Sequence, residues 1–196
     1  MPIWQTLAAT LAAYALGCFT SAYYLVRLVK GQDIRQLGTG TVGGRNAGRV
    51  LGKAGFVAVG VLDALKGLVA VVFARYLGVA GWWLAPVLFA VVAGHIWPAQ
   101  LGFQGGKGVA TMIGALLAYN YLIPLVLLVL FLISFAVLRS FTLAGMLGIA
   151  LLPFVLLALA QPPPVVVSVA LLTIIVMFAN RSNIRARLSR RPSETS

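Results

Sequence analysis

Two glycine-rich segments carry the residues best suited to binding anions. The first, Gly38 to Arg49, interleaves glycines and hydroxyls with arginines, and the second, Phe103 to Thr111, surrounds Lys107. Glycines expose backbone N–H groups, and guanidinium and ammonium groups attract phosphate. The second segment opens a predicted helix, whose free N–H groups and positive end favour an anionic ligand. Both segments therefore predict phosphate binding.

Neither segment is a nucleotide-binding motif. The first matches G-x-G-x-x-G, with Asp63 further along, but that motif must follow a strand and here an apolar run precedes it. The second lacks the first glycine of G-x-x-x-x-G-K-[ST], and a glycine follows Lys107. Two simpler interpretations stay open, a flexible loop for the first segment and a span boundary with an interfacial lysine for the second.

Three further ionisable residues lie in apolar surroundings. Asp63 and Lys66 are three residues apart and so share a helix face near the middle of a predicted span. Charges inside a membrane are costly and indicate a site, although an ion pair that only orients helices is an equal alternative. His95, the only histidine, precedes the second glycine-rich segment and is either a base or a structural histidine.

Composition places these residues in a membrane protein. Of 196 residues, 61% are hydrophobic and 9% charged, with a mean hydropathy of +1.02, so the chain cannot form a water-soluble surface. The net charge of +12 comes from basic residues between apolar runs, which is typical of cytoplasmic loops and not of a nucleic-acid-binding surface. The lone Cys18 excludes an intrachain disulfide, and neither a metal nor a cofactor is expected.

Apolar segments of roughly 17 to 25 residues cross a bilayer as helices. The fold class predicted is therefore an all-α integral membrane protein of about seven helices, some short, in one domain over residues 1–196 with a basic tail at 188–196. The predicted segments are Trp4 to Val29, Ala54 to Leu77, Trp82 to Trp97, Val109 to Ile123, Pro124 to Leu138, Phe141 to Ala160 and Val165 to Ala179.

The distribution of Lys and Arg predicts the orientation of these spans. The loop from Lys30 to Lys53, Lys107, Arg139 and the tail fall on one side, whereas only Arg75 falls on the other. Cytoplasmic loops carry the excess of basic residues, so the N-terminus is expected outside and the C-terminus in the cytoplasm.

The last segment ends in a further polar motif, Asn180-Arg-Ser-Asn-Ile-Arg185. An amide is not needed for anchoring in a membrane, so Asn183 is interpreted as functional. Arg187, Arg190 and Arg191 are interpreted as anchors at the cytoplasmic interface.

These motifs, in this order, resemble the family of bacterial acyl-phosphate:glycerol-3-phosphate acyltransferases. The corresponding segments are Asp33 to Arg35, Gly38 to Arg49, Asp63 to Gly67, Gly94 to Pro98 and Phe103 to Thr111. The resemblance implies seven membrane helices and transfer of a fatty acyl group from acyl phosphate to the 1-hydroxyl of glycerol 3-phosphate, giving lysophosphatidate. It also implies an active site facing the cytoplasm in the bacterial inner membrane.

The residue patterns and the resemblance together give one candidate site, with the two substrates and membrane lipid as partners. The candidate catalytic residues are Thr39, Arg49, Lys107, Asp63, Lys66 and His95. The candidate substrate-binding residues are Gly38, Gly40, Arg45, Asn46, Gly105, Gly106, Gly108, Asn180 and Asn183. The base remains open among Asp63, His95 and a phosphate oxygen of the substrate, and amides of the glycine loops are expected to stabilise the oxyanion.

The sequence departs from the family pattern at several positions. Thr39 stands in place of serine, Thr41 in place of asparagine, Arg45 in place of threonine and Asn180 in place of a frequent histidine. An inactive relative that binds acyl phosphate or lipid is therefore one alternative function. A small anion transporter is another, but it predicts an inverted internal repeat, and none is visible.

The charge distribution generates a topological prediction. Single cysteines at Gln36, Gln104 and Ser193, in a Cys18→Ala background, are expected to react only with a thiol reagent that reaches the cytoplasmic side. Labelling of any one of them from the outside would contradict the predicted orientation.

Overall fold

A computed structural model describes residues 3–189, and within that range the regular structure is entirely helical, as predicted. Its α-helices are α1 (Ile3–Cys18), α2 (Ser21–Lys30), α3 (Gly44–Tyr76), α4 (Leu84–Ile96), α5 (Val109–Tyr119), α6 (Leu122–Leu138), α7 (Phe141–Ala158) and α8 (Pro163–Leu188). Short 3-10 turns are formed by Ile34–Gln36, Gly81–Trp83 and Ala99–Leu101. Most of the predicted tail, with Arg190, Arg191 and Ser193, lies outside the described residues.

Length and apolar composition confirm a multi-pass membrane protein of about seven helical segments. Five segments in the described range are long and apolar enough to cross a bilayer, and α5 and α6 are shorter apolar helices. The five are Ile3–Lys30, Gly44–Tyr76, Gly81–Leu101, Phe141–Ala158 and Pro163–Leu188. Large apolar side chains remain exposed on these helices, as expected for surfaces that contact lipid. The orientation of the termini remains a prediction.

Two predicted boundaries were wrong, and one predicted span, matched by Ile3–Lys30, is interrupted inside. The first segment is not continuous, because Phe19 and Thr20 interrupt it between α1 and α2. The glycine-rich residues from Gly44 onward are not loop but the first turns of α3, with a kink at Gly52, where φ is +75°. The residues after Ala179 continue α8 to Leu188 instead of leaving the helix.

The chain divides into two compact units, Met1–Tyr121 and Leu122–Ser196. In the first unit α3 packs against α5 and α1 packs against α4, while α3 also contacts α1, α2 and α4. In the second unit α7 contacts both α6 and α8. The single domain expected from the sequence remains a prediction.

Glycines bring the helices of the first unit into backbone contact. A Cβ added at Gly17 of α1 or Gly94 of α4 would lie less than 3.0 Å from backbone atoms of the other helix. The same holds for Gly67 of α3 and Gly114 of α5. Small residues of this kind let membrane helices approach closely enough for extensive van der Waals contact.

An ion pair shapes the connection between α2 and α3. Asp33 accepts hydrogen bonds from the backbone N–H and the guanidinium of Arg35, the shortest joining Arg35 Nη2 to Asp33 Oδ2 at 2.6 Å. The same guanidinium donates from Nη1 to the Leu101 carbonyl at 3.3 Å, which joins this connection to the one after α4. The hydrogen bonds from Arg35 hold the pKa of Asp33 below its ordinary value.

Helix α5 is too short to cross a bilayer. Its 11 residues span roughly 16 Å, whereas the hydrocarbon core is about 30 Å thick. The end of a short helix leaves carbonyls without intrahelical donors. Arg75 near the end of α3 supplies one, because its Nη2 donates to the Tyr119 carbonyl at 2.7 Å.

The glycine crossings generate a stability prediction. Gly94→Ala is expected to lower the free energy of unfolding by about 1–3 kcal/mol, because its Cβ would force α1 and α4 apart. Gly60→Ala, also within a helix but with nothing inside 4 Å of the added atom, is the matched control and is expected to be neutral or slightly stabilising. Thermal unfolding in detergent measures both, and equal losses would contradict the packing argument.

The Asp33–Arg35 pair generates a pH prediction. A carboxyl whose pKa is lowered by folding stabilises the folded state above its unfolded pKa of about 3.9, and this contribution disappears as pH falls through the lowered value. The melting temperature of wild type should therefore exceed that of Asp33→Asn near pH 7, and the gap should shrink below about pH 4. A difference in melting temperature that stays constant from neutral to acidic pH would show that protonation of Asp33 is not linked to folding.

Candidate active site

Asn46 fixes the conformation of the first glycine-rich loop from within. It is fully buried in the first turn of α3, and its amide Nδ2 donates to the Leu37 carbonyl at 2.9 Å and to the Ile34 carbonyl at 3.3 Å. Its Oδ1 accepts the backbone N–H of Thr39 at 2.9 Å. All the polar atoms of this amide have partners within the loop, so its direct role is to hold the loop's shape.

The tip of that loop presents hydroxyl groups. Thr39 is exposed, and its Oγ1 lies 3.0 Å from Thr41 Oγ1. Gly38 and Gly40 flank it with φ of +58° and +70°, left-handed conformations that favour glycine. A Cβ at Gly38 would also collide with Asn46 Oδ1, so glycine is needed there for packing as well as for the turn. These two glycines therefore position the hydroxyls at the tip.

The start of α3 carries two arginines. Arg45 and Arg49 are one turn apart, so they lie on the same face of the helix, and both are exposed. The N-terminal end of a helix is positively polarised and has free N–H groups, which adds to the attraction for an anion. The arginines that follow the first loop are thus placed where phosphate would be stabilised.

The second glycine-rich loop folds back onto the end of α4. Gly106 N–H donates to the His95 carbonyl at 2.9 Å, and Gly105 N–H donates to the Ile96 carbonyl at 3.0 Å. These bonds satisfy carbonyls that the helix end leaves without partners. The expectation that amides of this loop stabilise an oxyanion does not fit these two N–H groups, because the protein itself occupies them.

The two glycine-rich loops meet beside His95. A Cβ added at Gly106 would lie within 3.0 Å of both the His95 ring, at Nε2 and Cε1, and the Val42 carbonyl of the first loop. Since Lys107 follows Gly106 and α3 begins just after Val42, this contact brings the half-buried Lys107 close to the N-terminal end of α3. Gly108 then caps α5 in a left-handed conformation, with φ of +81°.

Asp63 and Lys66 form the ion pair that their spacing predicts. Lys66 Nζ lies 3.0 Å from Asp63 Oδ1, and both side chains are buried. His95 joins them, with Nδ1 at 2.8 Å from Lys66 Nζ and 3.6 Å from Asp63 Oδ1. Ser21, at the start of α2, donates from Oγ to Asp63 Oδ1 at 2.9 Å. The cluster therefore joins α2, α3 and α4.

Lys66 also donates hydrogen bonds to backbone carbonyls at the break between α1 and α2. Lys66 Nζ donates to the Phe19 carbonyl at 2.6 Å and to the Gly17 carbonyl at 3.1 Å, and the Gln100 side chain donates to the Cys18 carbonyl. Sequence analysis did not identify Ser21 or Gln100 as partners. A small polar residue within an otherwise apolar run is the only signal that Ser21 offers.

Asn180 and Asn183 belong to the second unit, one turn apart on α8. Asn180 is buried, donates from Nδ2 to the Val176 carbonyl at 2.8 Å and accepts at Oδ1 from Asn183 Nδ2 at 3.3 Å. Arg181 between them stacks on the Phe178 ring at 4.0 Å. Their membership of a site with residues of the first unit remains a prediction.

Known proteins match this chain over nearly its full length. The family model "Glycerol-3-phosphate acyltransferase" matches residues 7–190. Glycerol-3-phosphate acyltransferase 1 of Desulfitobacterium hafniense is 41% identical over 180 residues, which cover 92% of this chain and 89% of that protein.

Two crystal structures of PlsY (YgiH), described as an integral membrane glycerol 3-phosphate acyltransferase, have the same fold. The glycerol 3-phosphate form is 32% identical with a TM-score of 0.84, and the lysophosphatidic acid form is 30% identical with a TM-score of 0.82. In each comparison 94% of this chain and 92% of the other are covered. This chain therefore belongs to the glycerol-3-phosphate acyltransferase family.

Proposed function

We propose that this protein transfers a fatty acyl group from acyl phosphate to the 1-hydroxyl of glycerol 3-phosphate, producing lysophosphatidate and inorganic phosphate. Relatives that carry the acyltransferase name cover almost the whole chain, and solved relatives are described in glycerol 3-phosphate and lysophosphatidic acid forms. These two forms correspond to the acceptor and the product of the proposed reaction. The reaction takes place at the cytoplasmic face of the bacterial inner membrane, where the charge distribution puts both glycine-rich loops.

The observation that carries this proposal is the contact between the two glycine-rich loops at Gly106 and Val42. It gathers Lys107, the positive end of α3 and the exposed Arg49 in one region of the first unit. Both substrates are anions, so binding them together requires several positive groups. A guanidinium supplies a planar fork for two phosphate oxygens, whereas an ammonium acts as a point charge.

Direct transfer accounts for the reaction without a covalent enzyme intermediate. The 1-hydroxyl oxygen bonds to the acyl carbon, the bond from that carbon to the phosphate oxygen breaks, and the hydroxyl proton passes to a base. The first turn of α5 offers N–H groups without intrahelical acceptors for the developing oxyanion. The acyl chain lies along the apolar helix surfaces.

Asp63 is poorly placed to be the base. Its Oδ1 accepts hydrogen bonds from Ser21 and pairs with Lys66, and its side chain is buried. Two candidates then remain from the original three, His95 Nε2 and a phosphate oxygen of a substrate.

The proposed function is tested by incubating the purified protein in lipid with acyl phosphate and labelled glycerol 3-phosphate. Labelled lysophosphatidate is expected from acyl phosphate, and a parallel reaction with acyl-CoA tests the donor. Product formed with acyl-CoA but not with acyl phosphate would mean that acyl-CoA is the donor. Binding of substrates without product from either donor would favour the inactive relative.

Arg49 and Lys107 give the sharpest activity prediction. Arg49→Ala and Lys107→Ala are each expected to lower the rate by about a hundredfold or more, equivalent to roughly 3 kcal/mol of transition-state stabilisation. Arg49→Lys is expected to remain poor, because it retains the charge but not the fork. Initial rates of lysophosphatidate formation at saturating substrates measure these losses.

Lys53→Ala is the matched control, since Lys53 is an exposed cation one turn beyond Arg49 on the same helix, past the kink at Gly52. It is expected to be nearly silent. All variants should insert and unfold as wild type does. Near-normal turnover of both alanine variants would show that the phosphate site lies elsewhere.

A further inference from the structure

Helix α3 is bent sharply at Gly52. In a straight helix two residues eight positions apart are separated by about 12 Å along the axis. A Cβ added at Gly48 would nevertheless lie only 3.0 Å from the Cβ of Phe56, eight residues further along the chain. The segment before the bend, residues 44–51, is therefore a short arm that folds back against the first residues of the segment after it.

The bend depends on glycine for two different reasons. Gly52 has φ of +75° and ψ of −169°, a backbone conformation that essentially only glycine adopts. A Cβ at Gly52 would meet no atom within 4 Å, so the requirement there is conformational alone. Gly55 instead supplies space, because its Cβ would lie 3.1 Å from the Ala47 carbonyl oxygen of the arm. Another residue at position 52 can therefore be accommodated only if the arm changes direction.

The arm carries the arginines of the candidate site. Arg45 and Arg49 are exposed on it, while Asn46 and Ala47 are fully buried. Arg49 lies three residues before Gly52, which is roughly 4.5 Å of helix, so a rotation of about 30° at the bend moves its Cα by about 2 Å. A misplacement of about 1 Å is enough to cost about a hundredfold in rate. The direction of the arm therefore decides whether the guanidinium reaches a bound phosphate.

We propose that Gly52 is a positioning residue for Arg49, because its positive-φ conformation folds the arm back and so places the guanidinium against a substrate phosphate. This inference rests on the proposed function, which assigns Arg49 to phosphate binding. Gly52 itself touches no substrate and acts only through the arm. Gly48 and Gly55 provide the space in which the arm packs against the rest of α3.

Gly52→Ala tests the conformation alone, because the added methyl group meets no neighbouring atom. It is expected to lower the rate of lysophosphatidate formation by about tenfold to a hundredfold. Gly78→Ala is the matched control. Gly78 follows the other end of α3, has a φ of +82°, and likewise has nothing within 4 Å of the added atom. The control is expected to keep nearly the full rate, and equal rate losses in the two variants would overturn the inference.

A double-mutant cycle shows whether Gly52 acts through Arg49. If it does, Gly52→Ala should cost at most about threefold more in the Arg49→Ala background, because the guanidinium that it displaces is already absent. Losses that multiply would show that the bend serves another part of the protein, and they would overturn the assignment to Arg49. All rates are compared at a temperature below the unfolding transition of every variant.

A reversible disulfide tests the folded-back arm directly. Gly48→Cys with Phe56→Cys, in a Cys18→Ala background, places two thiols where the Cβ atoms are close enough for a disulfide, whereas a straight helix would hold them about 12 Å apart. Trypsin cleaves after Arg49 and Lys53, so the peptides that carry positions 48 and 56 stay joined only through the disulfide. Mass spectrometry is expected to find the joined peptides after oxidation, and their absence would overturn the inference.

The same disulfide provides a rescue. When Gly52→Ala is added to the two cysteines, oxidation is expected to restore the rate to within about tenfold of the oxidised protein that retains Gly52, because the disulfide imposes the bend that alanine opposes. Reduction is expected to remove this recovery. A rate that is equally low in the oxidised and reduced forms would show that Gly52 does not act by folding the arm back.

The two proposals fail separately. If wild type forms no lysophosphatidate, the proposed function fails while the disulfide still reports the bend. If wild type is active and Gly52→Ala is as fast as Gly78→Ala, only the role given to Gly52 fails.

Discussion

The first unit depends on one buried ammonium group. Where the first segment breaks between α1 and α2, three consecutive carbonyls lose their helical donors, and Lys66 binds two of them while Gln100 binds the third. In the apolar interior of a membrane protein an unsatisfied carbonyl costs several kcal/mol. The ammonium also needs a counter-charge, which Asp63 supplies. The broken helix and the buried ion pair are thus parts of one arrangement, and neither would be stable alone.

Glycine has two separate uses around this cluster. At Gly38 and Gly40 a left-handed backbone is required, but at Gly105 and Gly106 the requirement is space, because any side chain would strike the end of α4 or the His95 ring. The second loop therefore needs its glycines in order to pack on the protein. Rate losses on replacing Gly106 would consequently report displacement of His95 as well as any loss of substrate contact.

Much of this arrangement follows from periodicity and composition. Apolar length predicts all-helical membrane spans, and a spacing of three residues predicts the Asp63–Lys66 pair. The break after Cys18 could not be predicted, because only the small polar residues Thr20 and Ser21 mark it, and Lys66, which binds its carbonyls, lies 47 residues beyond Phe19. Composition also cannot distinguish an amide that binds substrate from one that bonds a carbonyl of its own chain, as Gly105 and Gly106 do. The extension of α8 was missed because most of its residues are polar, although none of residues 180–188 is glycine or proline.

The short α5 explains why one arginine departs from the basic-residue pattern. Arg75 is the single cation assigned to the outer side, where positive charge is otherwise avoided. Because α5 is too short to cross a bilayer, its last carbonyls need a donor from a longer neighbour, and Arg75 on α3 provides one at Tyr119. Its guanidinium thus caps the C-terminal end of the short helix α5. Its position therefore has a structural reason, and the predicted orientation rests on the other cations of the loops and the tail.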